Sequence, residues 1–298
     1  MKALSAAFLL AASLCTAAHA EAPRVLTSIK PLHALAAAVM DGGGTPDVLI
    51  KGGGSVHGYT LRMSDAAVIS KAQVVFWIGP EFETFLVRPL NALGKSARVV
   101  SLMEVPGLTL LPARSGGLWD ADIDHGGVRK DGHLWLDPTN AKAIVAVMAQ
   151  TLSAVDPENA ARYAGNASAA TAQLDALDGE LREKLAPIHS KPFVVFHDAY
   201  QYFEAHYGLR SVGSITVSAD RAAGAKRIDQ IKKQMGTDGM CVFAEPQFEP
   251  KLIDTLIEGT GAKTGVLDPE GSTLDAGPGL YADLMRGLAD NLVSCLTP

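Results

Sequence analysis

The chain has 298 residues, 48% of them hydrophobic and 19% charged, enough apolar content for a full core, which excludes disorder, collagen-like repeats and a small disulfide-stapled module. Its formal net charge is −6 and it carries no long run of Lys or Arg, so a nucleic-acid backbone is a poor partner. Small molecules or ions suit it better.

Residues 1–20 read as an export signal. Lys2 supplies the positive start, residues 3–15 the short apolar stretch, and Ala18-His19-Ala20 the small-residue cleavage site. Leu14 stands where lipoprotein processing wants a small residue, so cleavage after Ala20 is expected rather than lipid attachment at Cys15. No later apolar run is long enough to span a bilayer, and the mature chain is expected to be soluble outside the cytoplasm. In that compartment disulfides persist, and the two remaining cysteines, Cys241 and Cys295, are expected to pair. Closing a loop of 54 residues would contribute on the order of 4 kcal/mol in the chain-entropy account and bind the C-terminal helix to a core strand.

Short β-rich runs alternate with longer helix-like stretches, the pattern of parallel sheets covered by helices. A first block, residues 21–155, has strand candidates at 24–29 (RVLTSI), 47–50 (DVLI), 74–78 (VVFWI) and 98–102 (RVVSL). A second, residues 189–298, has them at 193–196 (FVVF), 210–215 (RSVGSI), 241–244 (CVFA) and 264–267 (TGVL). Between them, residues 156–188 predict one long helix, opened by Asp156-Pro157 and striped by Ala160, Tyr163, Ala167, Ala170, Leu174, Leu177, Leu181, Leu185 and Ile188 at three- and four-residue spacing. The fold class is therefore α/β, two Rossmann-like lobes with parallel sheets joined by a long rigid helix that resists large hinge closure. Gly165 and Gly179 weaken that helix, each by about 1 kcal/mol relative to Ala. Residues 113–132, rich in Gly and Asp, read as a functional or mobile loop.

Open parallel sheets bind ligands beyond the carboxyl ends of their strands, so the polar residues just after each strand are the candidates for chemistry. His57 follows the strand at 47–50 and a Gly52-Gly53-Gly54 turn; His197 follows PFVVF; Glu245 ends CVFA; Asp268 ends TGVL. His133 stands in DGHLWLDP, where Asp137-Pro138 looks like the cap of a helix. Three imidazoles and a carboxylate suit a tetrahedral site for a borderline-soft divalent ion, best matched by Zn2+. The long gaps between the histidines are not a local metal signature, and a lone strand-end histidine is more often a structural hydrogen-bonder. Glu245 reads equally as an acceptor orienting a liganding imidazole or as a helix cap before Pro246. His33, His189 and His206 read as structural, and Trp135, Tyr59, Tyr200 and Phe203 as walls of the site or ordinary core.

SIKPLHAL (28–35), HGYTLRMSD (57–65), VVFWIGPEFE (74–83), HLWLDP (133–138), VVFHDAYQYFE (194–204), CVFAEPQF (241–248) and LDPEG (267–271) resemble the motif series of the zinc-uptake substrate-binding proteins of the ZnuA type, in the metal-specific cluster of periplasmic binding proteins. The resemblance covers nearly the whole mature length. It implies a periplasmic monomer, zinc buried between two lobes, and delivery to an inner-membrane ABC permease. By it His57, His133 and His197 match the three imidazole ligands, and Asp268 the carboxylate that completes the site in several relatives. Val56 departs from members with an acidic residue before the first His, leaving Asp268 or a water for the fourth position. The long His-rich loop of many members is reduced to Asp120, Asp122, Asp124 and His125, read as solvated loop. His197, where manganese-type relatives tend to carry a carboxylate, favours zinc over a manganese-binding role. A zinc hydrolase is the competing reading from another class, weakened by the absence of a general base at metalloprotease spacing, and a zinc buffer or adhesion protein without a permease is a third.

Overall fold

The computed structural model describes residues 21–297, apart from residues 53, 116, 120–129, 217–223, 236–239 and 249–250. The export signal of residues 1–20 and the acidic residues Asp120, Asp122, Asp124 and His125 thus lie outside the described residues.

The first half contains β1 (Val25–Thr27), α1 (Lys30–Val39), β2 (Asp47–Val48), α2 (Met63–Lys71), β3 (Val74–Trp77), α3 (Thr84–Leu93) and β4 (Arg98–Ser101). All pairings are parallel, in the order β2-β1-β3-β4. Two long helices follow, α4 (Pro138–Val155) and α5 (Ala160–Leu185). The second half contains β5 (Pro192–Val195), α6 (Gln201–Tyr207), β6 (Arg210–Ser214), α7 (Ala225–Met235), β7 (Cys241–Ala244), α8 (Lys251–Ile257), β8 (Lys263–Val266) and α9 (Leu280–Leu296). Its sheet is again all parallel, ordered β6-β5-β7-β8, so the two halves repeat one topology.

Central strands are apolar because both faces are covered: every residue of β3 is buried, as are Phe193, Val194 and Val195 of β5. α5 has 26 residues, about 39 Å at 1.5 Å per residue. Its stripe of Tyr163, Ala170, Leu174, Leu177, Leu181 and Leu185 is buried, and Gly165 and Gly179 sit within it without breaking it. Short 3-10 turns, Pro157–Asn159 and Ala186–Ile188, extend the helix at both ends. α4 packs along α5, and α1 and α9 pack on α5 from opposite halves. One hydrophobic cluster consequently runs from Val25 and Leu32 through Leu152 and Leu181 to Phe193 and Leu292. Separating or rotating the halves would open this shared core, the physical reason for a stiff junction. The expected disulfide joins Cys241 of β7 to Cys295 of α9, Cα atoms 6.1 Å apart.

Candidate metal centre

In both sheets the crossovers reverse direction between the two central strands, β1 and β3 in one and β5 and β7 in the other, which leaves a crevice at their carboxyl ends. In the second half this crevice holds His197, two residues beyond β5, and Glu245, directly after β7. In the first half the same place is filled by the protein itself: Glu83, fully buried, accepts the backbone N–H groups of Ile78 at 2.7 Å and Gly79 at 3.3 Å. Burial pushes its carboxyl up to about 7. The imidazoles of the first half therefore come from outside the crevice. His57 lies in a 3-10 turn, Val56–Gly58, whose start is capped by Ser55 Oγ accepting the His57 N–H at 3.2 Å. His133 precedes the turn Leu134–Leu136, and Asp137 caps α4 by accepting the Thr139 N–H at 2.7 Å, with Pro138 at the first helical position.

The fold brings His57, His133 and His197 together, one nitrogen from each lying within 4.8 Å of the others. Ring centroids stand 5.5 Å apart for His57 and His133, 5.4 Å for His57 and His197, and 5.2 Å for His133 and His197. Zn–N bonds of about 2.0–2.1 Å in a tetrahedron require nitrogens roughly 3.3 Å apart. The Nε2 atoms of His133 and His197 are at 3.3 Å.

Both of these rings are oriented from behind. His133 Nδ1 pairs with Asp131 Oδ1 at 2.7 Å, and Asp131 also accepts the His133 N–H at 2.9 Å. His197 Nδ1 pairs with Glu245 at 2.7 and 2.9 Å, and the Tyr200 hydroxyl donates to the same carboxylate at 3.3 Å. Carboxylate partners on Nδ1 leave Nε2 of each ring aimed at the shared centre. Desolvation and the neighbouring His197 charge hold His133 well below its ordinary value. For His197 desolvation pulls down, but the Glu245 charge and hydrogen bond outweigh it and the pKa is raised. Burial lifts Asp131 to about 7 against the pull of the His133 N–H and Arg114. The two Nε2 atoms therefore face each other across a gap in which one ion could bond to both.

Asp268 does not join this group. Its Oδ1 accepts from Gln247 Nε2 at 3.1 Å and the Glu270 N–H at 3.2 Å, and its Oδ2 from Ser272 Oγ at 2.9 Å, so the carboxylate is spent on shaping its own loop. The buried acid of that loop is Glu270, 8% exposed, whose Oε1 accepts the N–H of Val56, the residue before His57, at 3.3 Å. Burial raises its carboxyl to about 8 even though the positive charge on His197 lowers it. The first half holds this loop in place: Lys30 Nζ donates to the carbonyls of Ser272 at 2.9 Å and Leu274 at 2.8 Å, and Trp135 Nε1 to that of Pro269 at 2.8 Å. Sequence reading passed over Glu270 two positions after Asp268, although LDPEG displays both. It also passed over Asp131 in DGH.

Trp135 lies tilted against His133, centroids 5.4 Å apart, and Tyr200 stands 6.5 Å from His197. Tyr59 instead bonds Asp65 at 3.0 Å and packs on Phe85, and Phe203 packs on Tyr207. His33 serves α1, its Nε2 bonding the Pro46 carbonyl at 3.0 Å. His206 bridges Asp137 and Asp178. Within the loop at 113–132, Arg114 crosses to the second half, binding Asp198 through Nε at 2.9 Å and Glu204 through Nη1 at 2.8 Å while lying 3.7 Å over the Trp119 ring. Its charge thus faces the residue next to His197.

The family model for the periplasmic component A of the zinc-uptake complex, ZnuA, matches residues 25–295. The chain belongs to this family. The high-affinity zinc uptake system protein ZnuA of Brucella suis is 46% identical to it, the match covering 99% of this chain and 97% of that protein. The Yersinia pestis protein of the same name is 35% identical over 91% of each chain. A crystal structure of ZnuA overlays with a TM-score of 0.79 at 24% identity, covering 93% of this chain and 100% of that one, which supports the two-lobed fold. The family is one of periplasmic substrate-binding transport proteins rather than enzymes, and among the described residues no helix is long and apolar enough to cross a membrane.

Proposed function

We propose that this chain captures zinc in the periplasm and delivers it to the permease of an ABC importer, after removal of residues 1–20. The observation that carries the reading is the convergence of three imidazole nitrogens within 4.8 Å at the junction of two lobes, in a member of the zinc-uptake family. His57, His133 and His197 are the zinc ligands, and Glu245 and Asp131 hold two of the rings in the ligating orientation. Glu270 replaces Asp268 as the carboxylate that completes a four-coordinate shell; it is buried, neighbours His57 through the Val56 N–H, and interacts with the His197 charge. Three nitrogens and one oxygen favour zinc over manganese, which prefers oxygen-rich, six-coordinate sites.

Competition titration of the purified protein with both ions tests this. Zinc should bind far more tightly than manganese, and His57→Ala, His133→Ala and His197→Ala should each lose orders of magnitude in zinc affinity. Equal affinity for the two ions would overturn the zinc assignment. Normal growth of zinc-starved cells lacking the protein would separate binding from transport.

A further inference from the structure

Phe82 has no part in the ligand set, yet its ring sits against two of its members. Its centroid is 5.0 Å from that of His57 and 5.0 Å from that of His133, nearly perpendicular to both at 75° and 83°. With the spacings among the histidines, this makes two nearly equilateral triangles sharing the His57–His133 edge, one closed by His197 and the other by Phe82. Trp135 extends the apolar wall behind Phe82, with ring centroids 5.8 Å apart.

The position of this ring is built into the backbone on both sides. Gly132, directly before His133, has no side chain where Phe82 stands: a Cβ there would lie 2.1 Å from Phe82 Cδ2 and 2.5 Å from Cγ. On the other side Phe82 belongs to the turn at 78–83, in which the Phe82 N–H donates to the Gly79 carbonyl at 3.2 Å and the buried Glu83 carboxylate ties the N–H groups of Ile78 and Gly79. These bonds fix the backbone from which the ring projects, and Gly132 leaves the space it fills.

Exposure shows what the ring faces. His133 and His197 are each 5% exposed, whereas His57 and Phe82 are only partly buried, so these two rings form the less covered side of the cluster. Zinc has no geometric preference from its d electrons and accepts four ligands, while harder divalent ions keep additional waters. A hydrocarbon ring on that side offers no donor to such a water, which penalises six-coordinate ions more than zinc.

We propose that Phe82 is a specificity-determining residue of the metal site: its ring keeps His57 and His133 at four-coordinate spacing and bars the waters that a fifth or sixth ligand position requires. The proposal rests on the reading of the three imidazoles as zinc ligands. It makes Phe82 a positioning residue that acts through the rings it touches.

The test uses the wild-type protein with Phe82→Ala and Phe82→Leu. Cobalt(II) serves as the coordination probe, because a tetrahedral cobalt centre absorbs visible light far more strongly than one with additional waters. Zinc against manganese competition and melting of the metal-free proteins complete the measurement. Wild type should show intense cobalt bands. In Phe82→Ala the bands should weaken and the manganese-to-zinc affinity ratio rise about 10- to 100-fold, the scale on which groups that orient ligands act. Phe82→Leu should lie between, and metal-free melting measures separately the packing lost with the ring. Should the alanine variant fail to fold, the leucine variant decides by the same spectrum and ratio. Folded variants that keep both at the wild-type level overturn this proposal alone, and a wild-type protein that binds neither zinc nor cobalt overturns the zinc reading beneath it.

Discussion

Of the two imidazoles backed by carboxylates, His197 should yield zinc to acid before His133. The two face each other across 3.3 Å with Asp131 and Glu245 behind their Nδ1 atoms, so a proton on either Nε2 competes with the ion for that gap. Desolvation lowers both rings; the Glu245 charge reverses this for His197, whose pKa is raised above 6.5, while His133 is driven well below. Of these two rings His197, with its pKa raised, competes with zinc for a proton more strongly than His133, which is held low. Below the His197 pKa each pH unit costs about tenfold in affinity, or about 1.36 kcal/mol. Between pH 7.5 and 5.5 the loss through this ring is up to about 100-fold. Calorimetric titration in buffers of different ionisation enthalpy measures the proton directly, and the number released per zinc should rise as pH falls from 7.5. Glu245→Gln removes the charge that holds the proton on His197: the release should shrink and the onset of acid sensitivity move to lower pH, with zinc affinity at pH 7.5 about tenfold weaker. Affinity that stays flat from pH 7.5 to 5, or binding that releases no proton, would refute the reasoning.

Glu270→Gln should weaken zinc binding by at least tenfold, while Asp268→Asn, which alters a carboxylate occupied by Gln247, Ser272 and its own loop, should change it much less; the reverse order in a competition titration would restore Asp268 to the metal. His206 ties α6 to the cap of α4 and to α5, with Nδ1 3.1 Å from Asp137 and Nε2 2.8 Å from Asp178. Desolvation lowers its pKa, but these two carboxylates raise it further, to above 6.5. The stabilisation is fully present below the ordinary 6.5 of an unfolded histidine and is lost as pH rises through the raised folded value. Melting curves should therefore show wild type ahead of His206→Gln at pH 6 and the gap closing in mild alkali, whereas a gap independent of pH would exclude this role.

Much of the architecture was legible in the chain because periodicity is local. VVFW of β3 and PFVV of β5 announce strands covered on both faces, and the stripe from Tyr163 to Leu185 announces α5 across two glycines that lie where nothing crowds the helix. The cysteine pairing was legible because export implies oxidation and only two cysteines remain after the signal. The carboxylates were harder. Asp268 and Glu270 both follow β8 in LDPEG, and a strand-end rule selects the nearer, yet a tight loop turns Asp268 onto its own backbone and leaves Glu270 beside Val56. Tyr59 and Phe203, open in the sequence between site wall and ordinary core, pack on Phe85 and Tyr207, whereas Phe82, in a turn rather than at a strand end, was passed over.

The amino-acid sequence by itself determined the repeated α/β plan, the long connecting helix, the disulfide and the three histidines, since each depends on neighbours a few positions away or on residue chemistry alone. Only the tertiary structure decided which carboxylate backs His133 and which His197, which acid of the LDPEG loop bonds the segment of His57, and which aromatic ring packs on His57 and His133. Those choices depend on contacts between segments up to about 200 residues apart, such as Val56 with Glu270 at a separation of 214 and His197 with Glu245 at 48. No local pattern encodes a meeting that is fixed by how two sheets pack against a common helix.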